Sequence, residues 1–188
     1  MVNLNKGQKV SLAKDGKALK RILVGLGWDT AVGCNMDLDA SVFLVGNTGK
    51  VTCDQDFIFY NNLKDNYGAV QHMGDNRTGA GDGDDEQIII DLDKVPDKIE
   101  RIVVVVTIDD YEKKRQNFGQ VTNAYIRLVD RDTDNVEFKF DLGEDFSCET
   151  AIAFGEIYRR NGEWKFNALG QGYTEGLYGF CVRYGVNV

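Results

Sequence analysis

Seven consecutive β-branched residues, Ile102-Val-Val-Val-Val-Thr-Ile108, constrain this chain more than any other stretch. Side chains branched at Cβ crowd a helical turn but pack well on a pleated surface, so the run reads as a strand. It is also the longest uncharged, strongly apolar run, and it is far too short to span a bilayer. Ile88-Ile-Ile90 repeats the same chemistry upstream. Further strands are predicted at residues 9–12 and 21–26, around the turn at 14–17. Residues 40–45 and 57–60 flank Gly46-Asn-Thr-Gly49 as a hairpin-like connection. Later strands fall at 124–129, at 136–140 with apolar and polar side chains alternating, at 164–166 and at 180–184. With one proline and 21 glycines in 188 residues, glycine supplies most of the turn chemistry.

One segment departs from this pattern. Ala151, Phe154 and Tyr158 recur at i, i+3 and i+7 with Ile157 beside them, and Ser147 can cap, so a short helix is predicted near 147–160. Displacing the chain by eighty residues lays Leu12 on Leu92, Arg21 on Arg101, Ile22 on Ile102 and Asp29 on Asp109. With a small insertion, 40–45 then falls on 124–129. Strands and turns recurring in one order indicate a duplicated unit. The expected fold is all-β: a β-sandwich of two pseudo-repeated antiparallel units packed face to face. It occupies 1–188 as one domain with halves of about 1–80 and 81–188.

The formal charge of −8 is concentrated. Residues 29–39 carry Asp29, Asp37 and Asp39 with no Lys or Arg, and residues 75–86 carry four Asp and Glu86 against Arg77. This balance argues against direct nucleic-acid binding. A single histidine, His72, excludes sites built on two or three imidazoles, and no nucleophile stands beside a base. Four cysteines without a C-x-x-C pair suit reduced thiols in the cytoplasm, and apolar neighbours suggest burial of Cys53 and Cys181. Residues 1–10 lack the apolar segment of a signal peptide, and no covalent membrane anchor is expected.

Gly74-Asp-Asn-Arg-Thr-Gly-Ala-Gly-Asp-Gly-Asp-Asp-Glu86 offers hard oxygen donors on a glycine-rich backbone. That mixture suits Ca²⁺, which takes six to eight oxygens in a flexible shell. Asp75 and Glu86 are spaced like the ends of an EF-hand loop, but Arg77 and Gly79 occupy ligand positions and the flanks read as strands. A cation site must therefore draw on several loops, with Asp29, Asp37 and Asp39 contributing. Crowded carboxylates repel one another, and a bound cation relieves the repulsion.

Motifs in order along the chain carry a resemblance. They are Val24-Gly-Leu-Gly-Trp-Asp29, Asp37-Leu-Asp-Ala-Ser41, Phe57-Ile-Phe-Tyr-Asn-Asn62, Gly74-Asp-Asn-Arg-Thr-Gly79 with Gly83-Asp-Asp-Glu86, and Gln116-Asn-Phe-Gly-Gln-Val121. Glu163-Trp-Lys-Phe166 and Gly170-Gln-Gly-Tyr173 complete the set, and nearly all of the chain is covered. The sequence resembles the TerD family of tellurium-resistance and general stress proteins. The resemblance implies a β-sandwich of two similar halves that binds Ca²⁺, two ions, through its acidic loops. It places metal ligands among Asp29, Asp37, Asp39, Asp75, Asn76, Asp84, Asp85 and Glu86.

The functional expectation is a non-enzymatic, calcium-binding stress-response module in the cytoplasm. Its expected partners are other TerD-family or tellurium-resistance proteins, or a membrane-associated complex. Two alternatives stand beside it: a Mg²⁺- or Mn²⁺-dependent phosphate-processing enzyme, and a module that reaches anionic membranes through bridging calcium.

Overall fold

The computed structural model describes residues 1–14, 16–30, 36–74, 83–142 and 146–187. The first strands are β1 (Val2–Asn3), β2 (Lys9–Ser11), β3 (Ala13–Lys14), β4 (Lys17–Ala18) and β5 (Arg21–Thr30). Next come β6 (Leu38–Gly46), β7 (Phe57–Ile58), β8 (Val70–His72), β9 (Glu86–Asp91) and β10 (Ile99–Ile108). The series ends with β11 (Val121–Asp130), β12 (Asn135–Asp141), β13 (Ala151–Arg160) and β14 (Glu163–Tyr173). A short helix α1 (Tyr111–Lys114) follows β10, and α2 (Gly176–Tyr184) follows β14.

Two six-stranded sheets form the expected sandwich, in the orders β1-β12-β11-β5-β9-β8 and β2-β14-β13-β10-β6-β7. Among the described residues, only the β1–β12 pair is parallel. Strands β5 and β10, which the eighty-residue offset superimposes, hold central places in opposite sheets. The halves do not form one layer each. The strand β10 pairs with β6 from the first half, and β5 pairs with β11 from the second, so both sheets draw on both halves.

Alternation explains the core. Ile102, Val104, Val106 and Ile108 point between the sheets, where they meet Ile22, Val24 and Leu26 of β5. Val103 and Val105 point outward and are nonetheless buried, packed with Phe43, Phe57, Phe180 and Cys181 beneath α2. A strand covered on both faces needs apolar residues at every position, which accounts for the unbroken β-branched run.

Two expectations are corrected. The segment 151–160 is strand β13, hydrogen-bonded between β10 and β14, and not a helix. Its register shifts around Phe154 in both ladders, so the residues facing the core are Ile152, Phe154 and then Ile157. One extra residue turns a spacing of two into a spacing of three, which mimics helical periodicity. Conversely, residues 180–184 belong to helix α2 rather than to a strand. There Leu177, Phe180, Cys181 and Tyr184 follow the i, i+3, i+4, i+7 pattern and pack on the second sheet.

Candidate functional site

Because β5 and β9 are antiparallel, with Leu26 opposite Glu86, the end of one strand lies beside the start of the other. Asp29 closes β5, Asp84 and Asp85 lead into β9, and Asp37 and Asp39 stand at the start of β6. Asp39 lies opposite Thr107 near the end of β10, and the Asp109 amide donates to the Asp37 carbonyl at 2.9 Å. The acidic segments that are separated in sequence thus gather at one end of the sandwich. Asp75 and Asn76 lie outside the described residues.

Asp84 is held by protein groups on both carboxylate oxygens. Arg127 Nε donates to Oδ1 at 2.7 Å and Nη2 to Oδ2 at 2.9 Å, a two-pronged ion pair. The Tyr125 hydroxyl, whose one proton is shared with the Gly83 carbonyl at 3.0 Å, lies 3.1 Å from Oδ1, and Gln87 Nε2 donates to Oδ2 at 3.2 Å. The Asp84 side chain is fully buried beneath them. Two glycines make this possible. A Cβ on Gly25 would lie 2.1 Å from Asp84 Oδ2, and one on Gly27 would lie 2.5 Å from the Tyr125 ring. The Gly25-Leu-Gly27 triplet lets a carboxylate and an aromatic ring lie flat on β5. Burial, together with the Asp84 charge and hydrogen bond, pushes the Tyr125 hydroxyl up to about 12.

Asp85 faces a different set of groups. Its Oδ2 accepts the Trp28 amide at 2.8 Å, while its own amide donates to the Leu26 carbonyl at 2.7 Å. Burial raises its pKa, and the nearby charges of Asp29 and Asp84 raise it further against the Trp28 hydrogen bond. Asp29 Oδ2 accepts from Asn123 Nδ2 at 2.7 Å, and Asn123 takes a left-handed backbone at φ 53°.

Glu86 lies on the inward face of β9 with Ile88 and Ile90 and is almost completely buried. Its Oε2 accepts the Ala40 amide at 2.6 Å, linking the two sheets, and stands 3.4 Å from His72 Nε2. His72 Nε2 is also 3.1 Å from the Ala40 carbonyl, and Nδ1 accepts the Gly74 amide at 3.1 Å. In the neutral imidazole that contact places the proton on Nε2, toward Glu86 and Ala40, and protonation of Nδ1 gives up the Gly74 contact. Burial lowers the His72 pKa, but the hydrogen bond to Glu86, the Glu86 charge, the Ala40 carbonyl and Asp39 outweigh it, so the net shift is upward. Leu38 enters the core and Asp39 is nearly buried on the opposite face of β6, as alternation predicts.

These positions divide the eight residues assigned to metal. Asp29 and Asp85 are close enough for the charge of one to raise the pKa of the other, and both suit a hard cation. Asp84 does not suit one, since Arg127, Tyr125 and Gln87 already use both of its oxygens. Glu86 has one oxygen committed to Ala40 and His72. Among the described residues, no three His, Cys, Asp or Glu side chains converge closely enough to hold a metal ion.

Sequence reasoning passed over Arg127, Tyr125 and Asn123, and used His72 only to exclude sites built on several imidazoles. Two glycines inside a strand were the legible trace of this cluster, because they mark where another group lies against the backbone. Of the cysteines, Cys181 is buried as expected, whereas Cys53 is exposed on the loop after β6.

Comparison with known proteins places this architecture. A model of the TerD domain matches residues 1–184. The chain belongs to the TerD domain family. This TerD-domain chain is 55% identical over 188 residues to the tellurium resistance protein TerD of Serratia marcescens, covering 99% of this chain and 98% of that one. It is 51% identical over 190 residues to general stress protein 16U of Bacillus subtilis, covering 100% and 98%. A crystal structure of a homologue of the telluride resistance protein TerD from Streptomyces coelicolor shares the fold, with a TM-score of 0.69 at 22% identity. The match covers 87% of this chain and 95% of the other. Among the described residues, no helix is long and apolar enough to cross a membrane.

Proposed function

We propose that this protein is a non-enzymatic stress-response protein of the tellurium-resistance type whose acidic end takes up a divalent cation, Ca²⁺ foremost. The reading rests on the gathering of acidic segments from β5, β6 and β9 at one end of the sandwich. The names of its relatives, which describe resistance and stress proteins, support the physiological half. Asp29 and Asp85, with Asp37 and Asp39 at the start of β6, are the described residues assigned to the cation, and Asp75 and Asn76 are assigned as further ligands. Asp84 positions the start of β9 through Arg127 instead. When bound, the cation would offset repulsion among the carboxylates and order the acidic end as a docking surface. Its partners would be other proteins of this family or a membrane-associated complex in the cytoplasm.

Calorimetric titration of the metal-stripped protein with Ca²⁺, repeated in the presence of Mg²⁺, tests this directly. Binding that survives Mg²⁺ and is lost in Asp29→Asn/Asp85→Asn is expected. At a free calcium concentration of 100 Kd, linkage would stabilise the fold by about 2.7 kcal/mol. A titration without heat, or one unchanged in the double variant, would remove the cation from the account.

A further inference from the structure

Beyond the carboxylates assigned to calcium, the acidic end contains a pocket of about 600 Å³ on the α2 side of the second sheet. Its walls come from the end of β10, from α1 and from the first turn of α2. Three tyrosines, Tyr60, Tyr111 and Tyr178, supply aromatic surface. Tyr178 is 66% exposed and Tyr60 41% exposed, although large aromatic side chains usually bury most of their area. The Tyr111 ring packs against Gly176 so closely that a Cβ there would come within 2.5 Å. Gly176 also has φ 56°, so glycine is required twice over.

The polar part of the wall is strongly one-sided. Asp39, Asp109, Asp110, Glu112 and Glu175 line the pocket, with Lys113 as the one basic group among the described residues. Lys113 pairs with Asp110 at 2.8 Å, and Lys114 approaches Asp109 at 3.6 Å from outside. Among the described residues, five carboxylates against two lysines leave a formal surplus of three negative charges. Burial and the charge and hydrogen bond of Glu112, with the charge of Glu175, raise the Tyr111 hydroxyl pKa, in keeping with a negative potential in the pocket.

A bare metal ion does not match this wall. Calcium needs six to eight oxygens within about 2.6 Å. No three acidic side chains among the described residues converge that closely. Carboxylates spread around an aromatic-walled volume suit a larger, weakly hydrated cation instead. A guanidinium satisfies both halves: it stacks flat on an aromatic ring and donates in a planar fork to carboxylates. The volume lies within the range of small-ligand sites, roughly 300–1,000 Å³.

We propose that the pocket walled by Tyr60, Tyr111 and Tyr178 and rimmed by Glu112 and Glu175 is a binding site for a guanidinium group. The group arrives either on a free amine such as agmatine or on an arginine side chain of a protein segment. The site is separate from the calcium reading, sharing only Asp39 with the residues assigned there.

The test is an amide-resolved NMR titration of the full-length protein with agmatine and, separately, with a capped Gly-Arg-Gly peptide. About 0.15 M salt damps long-range attraction to the acidic end. Shifts centred on Tyr111, Glu112, Glu175 and Tyr178 are expected with at least one probe. A response to agmatine alone assigns a free amine, and stronger binding of the peptide assigns a protein segment. Tyr178→Ala should weaken binding about two- to fivefold, the range for an exposed cation–aromatic contact. Glu175→Gln should weaken it roughly tenfold through loss of a charge-assisted hydrogen bond. Both residues lie outside the calcium set, so their Ca²⁺ titrations should match the unsubstituted protein. The proposal is overturned if neither probe shifts these amides at millimolar concentration. It also fails if a capped citrulline peptide, neutral but of the same shape, binds as well as the arginine peptide. Binding by both variants at full strength would be equally fatal. Asp29→Asn/Asp85→Asn separates the two readings, since it should abolish calcium uptake while leaving agmatine binding in place.

Discussion

Removing the Arg127 guanidinium tests whether Asp84 serves the fold or a metal. In the structure the Asp84 carboxylate is fully buried and receives two donors from Arg127, one from Gln87 and a share of the Tyr125 hydroxyl proton. Breaking a buried pair from one side costs about 3–5 kcal/mol, because the remaining charge stays desolvated. The Arg127 side chain is 32% exposed, and Tyr125 and Gln87 continue to donate, so the lower part of that range applies. We expect Arg127→Met to cost about 3 kcal/mol. With a urea m-value of about 2 kcal/mol/M, the midpoint would fall by about 1.5 M. Asp84→Asn keeps an acceptor for Tyr125 and should cost less. The double variant should recover much of the loss, with a coupling energy of about 1.5–3 kcal/mol in a four-protein cycle. Equilibrium urea unfolding of metal-free protein, followed by far-UV circular dichroism, measures each corner. If Asp84 were a calcium ligand instead, Asp84→Asn would leave metal-free stability almost unchanged and lower calcium affinity, and Arg127→Met would tighten it. That pattern, or a coupling energy under about 0.5 kcal/mol, would refute the assignment.

The remaining predictions concern groups near the same end and beneath α2. Gly25→Ala should cost at least ~2 kcal/mol in urea unfolding, because its methyl would overlap the Asp84 carboxylate; a wild-type midpoint would contradict the packing described. His72 has a folded-state pKa above its ordinary value of about 6.5, so its contribution is complete below that pH and lost as pH rises through the folded value. Metal-free wild type should therefore lose stability between pH 6 and pH 8 more steeply than His72→Gln, and parallel pH profiles would show that the imidazole is not responsible. The Cys181 thiol is buried and its pKa raised by burial, whereas Cys53 and Cys148 are exposed. Brief alkylation of the native protein at pH 8, read by peptide mass spectrometry, should label Cys53 and Cys148 and spare Cys181 until denaturant is added; early labelling of Cys181 would mean that α2 opens readily.

The β architecture was legible because strand alternation survives in the sequence wherever pairing is regular. Residues 102–108 and 124–129 lie in β10 and β11. Legibility failed where one residue disturbed the count. The extra residue at Phe154 changed a period of two into an apparent helical spacing in β13. In α2 the reading began too late, at Phe180, and so missed Leu177, which completes the helical stripe with Cys181 and Tyr184. The eighty-residue offset lays β5 on β10, strands that hold central places in opposite sheets, but sequence similarity between halves carries no information about which half supplies each neighbouring strand.

The candidate site was legible as composition and illegible as partnership. A run of acidic residues reads the same whether its carboxylates face water, a cation or a distant arginine, and only the third dimension tells these apart. Asp84 and Asp85 are adjacent in sequence, yet one is clasped by Arg127, forty-three positions away, while the other caps the Trp28 amide beside Asp29. Their neighbour Glu86 turns inward to bridge the sheets through Ala40. Three successive carboxylates thus have three physical roles, because a strand alternates its faces and its entry loop obeys no period at all. Arg127 could not have been singled out from charge, since one basic residue in a strand is an ordinary surface feature. Gly25 was the better sign: in the middle of a β strand it has no turn to make, so the absence of its side chain points to another group occupying that space. For this end of the molecule, the missing side chains of β5 mark the packing more clearly than the acidic residues mark the chemistry.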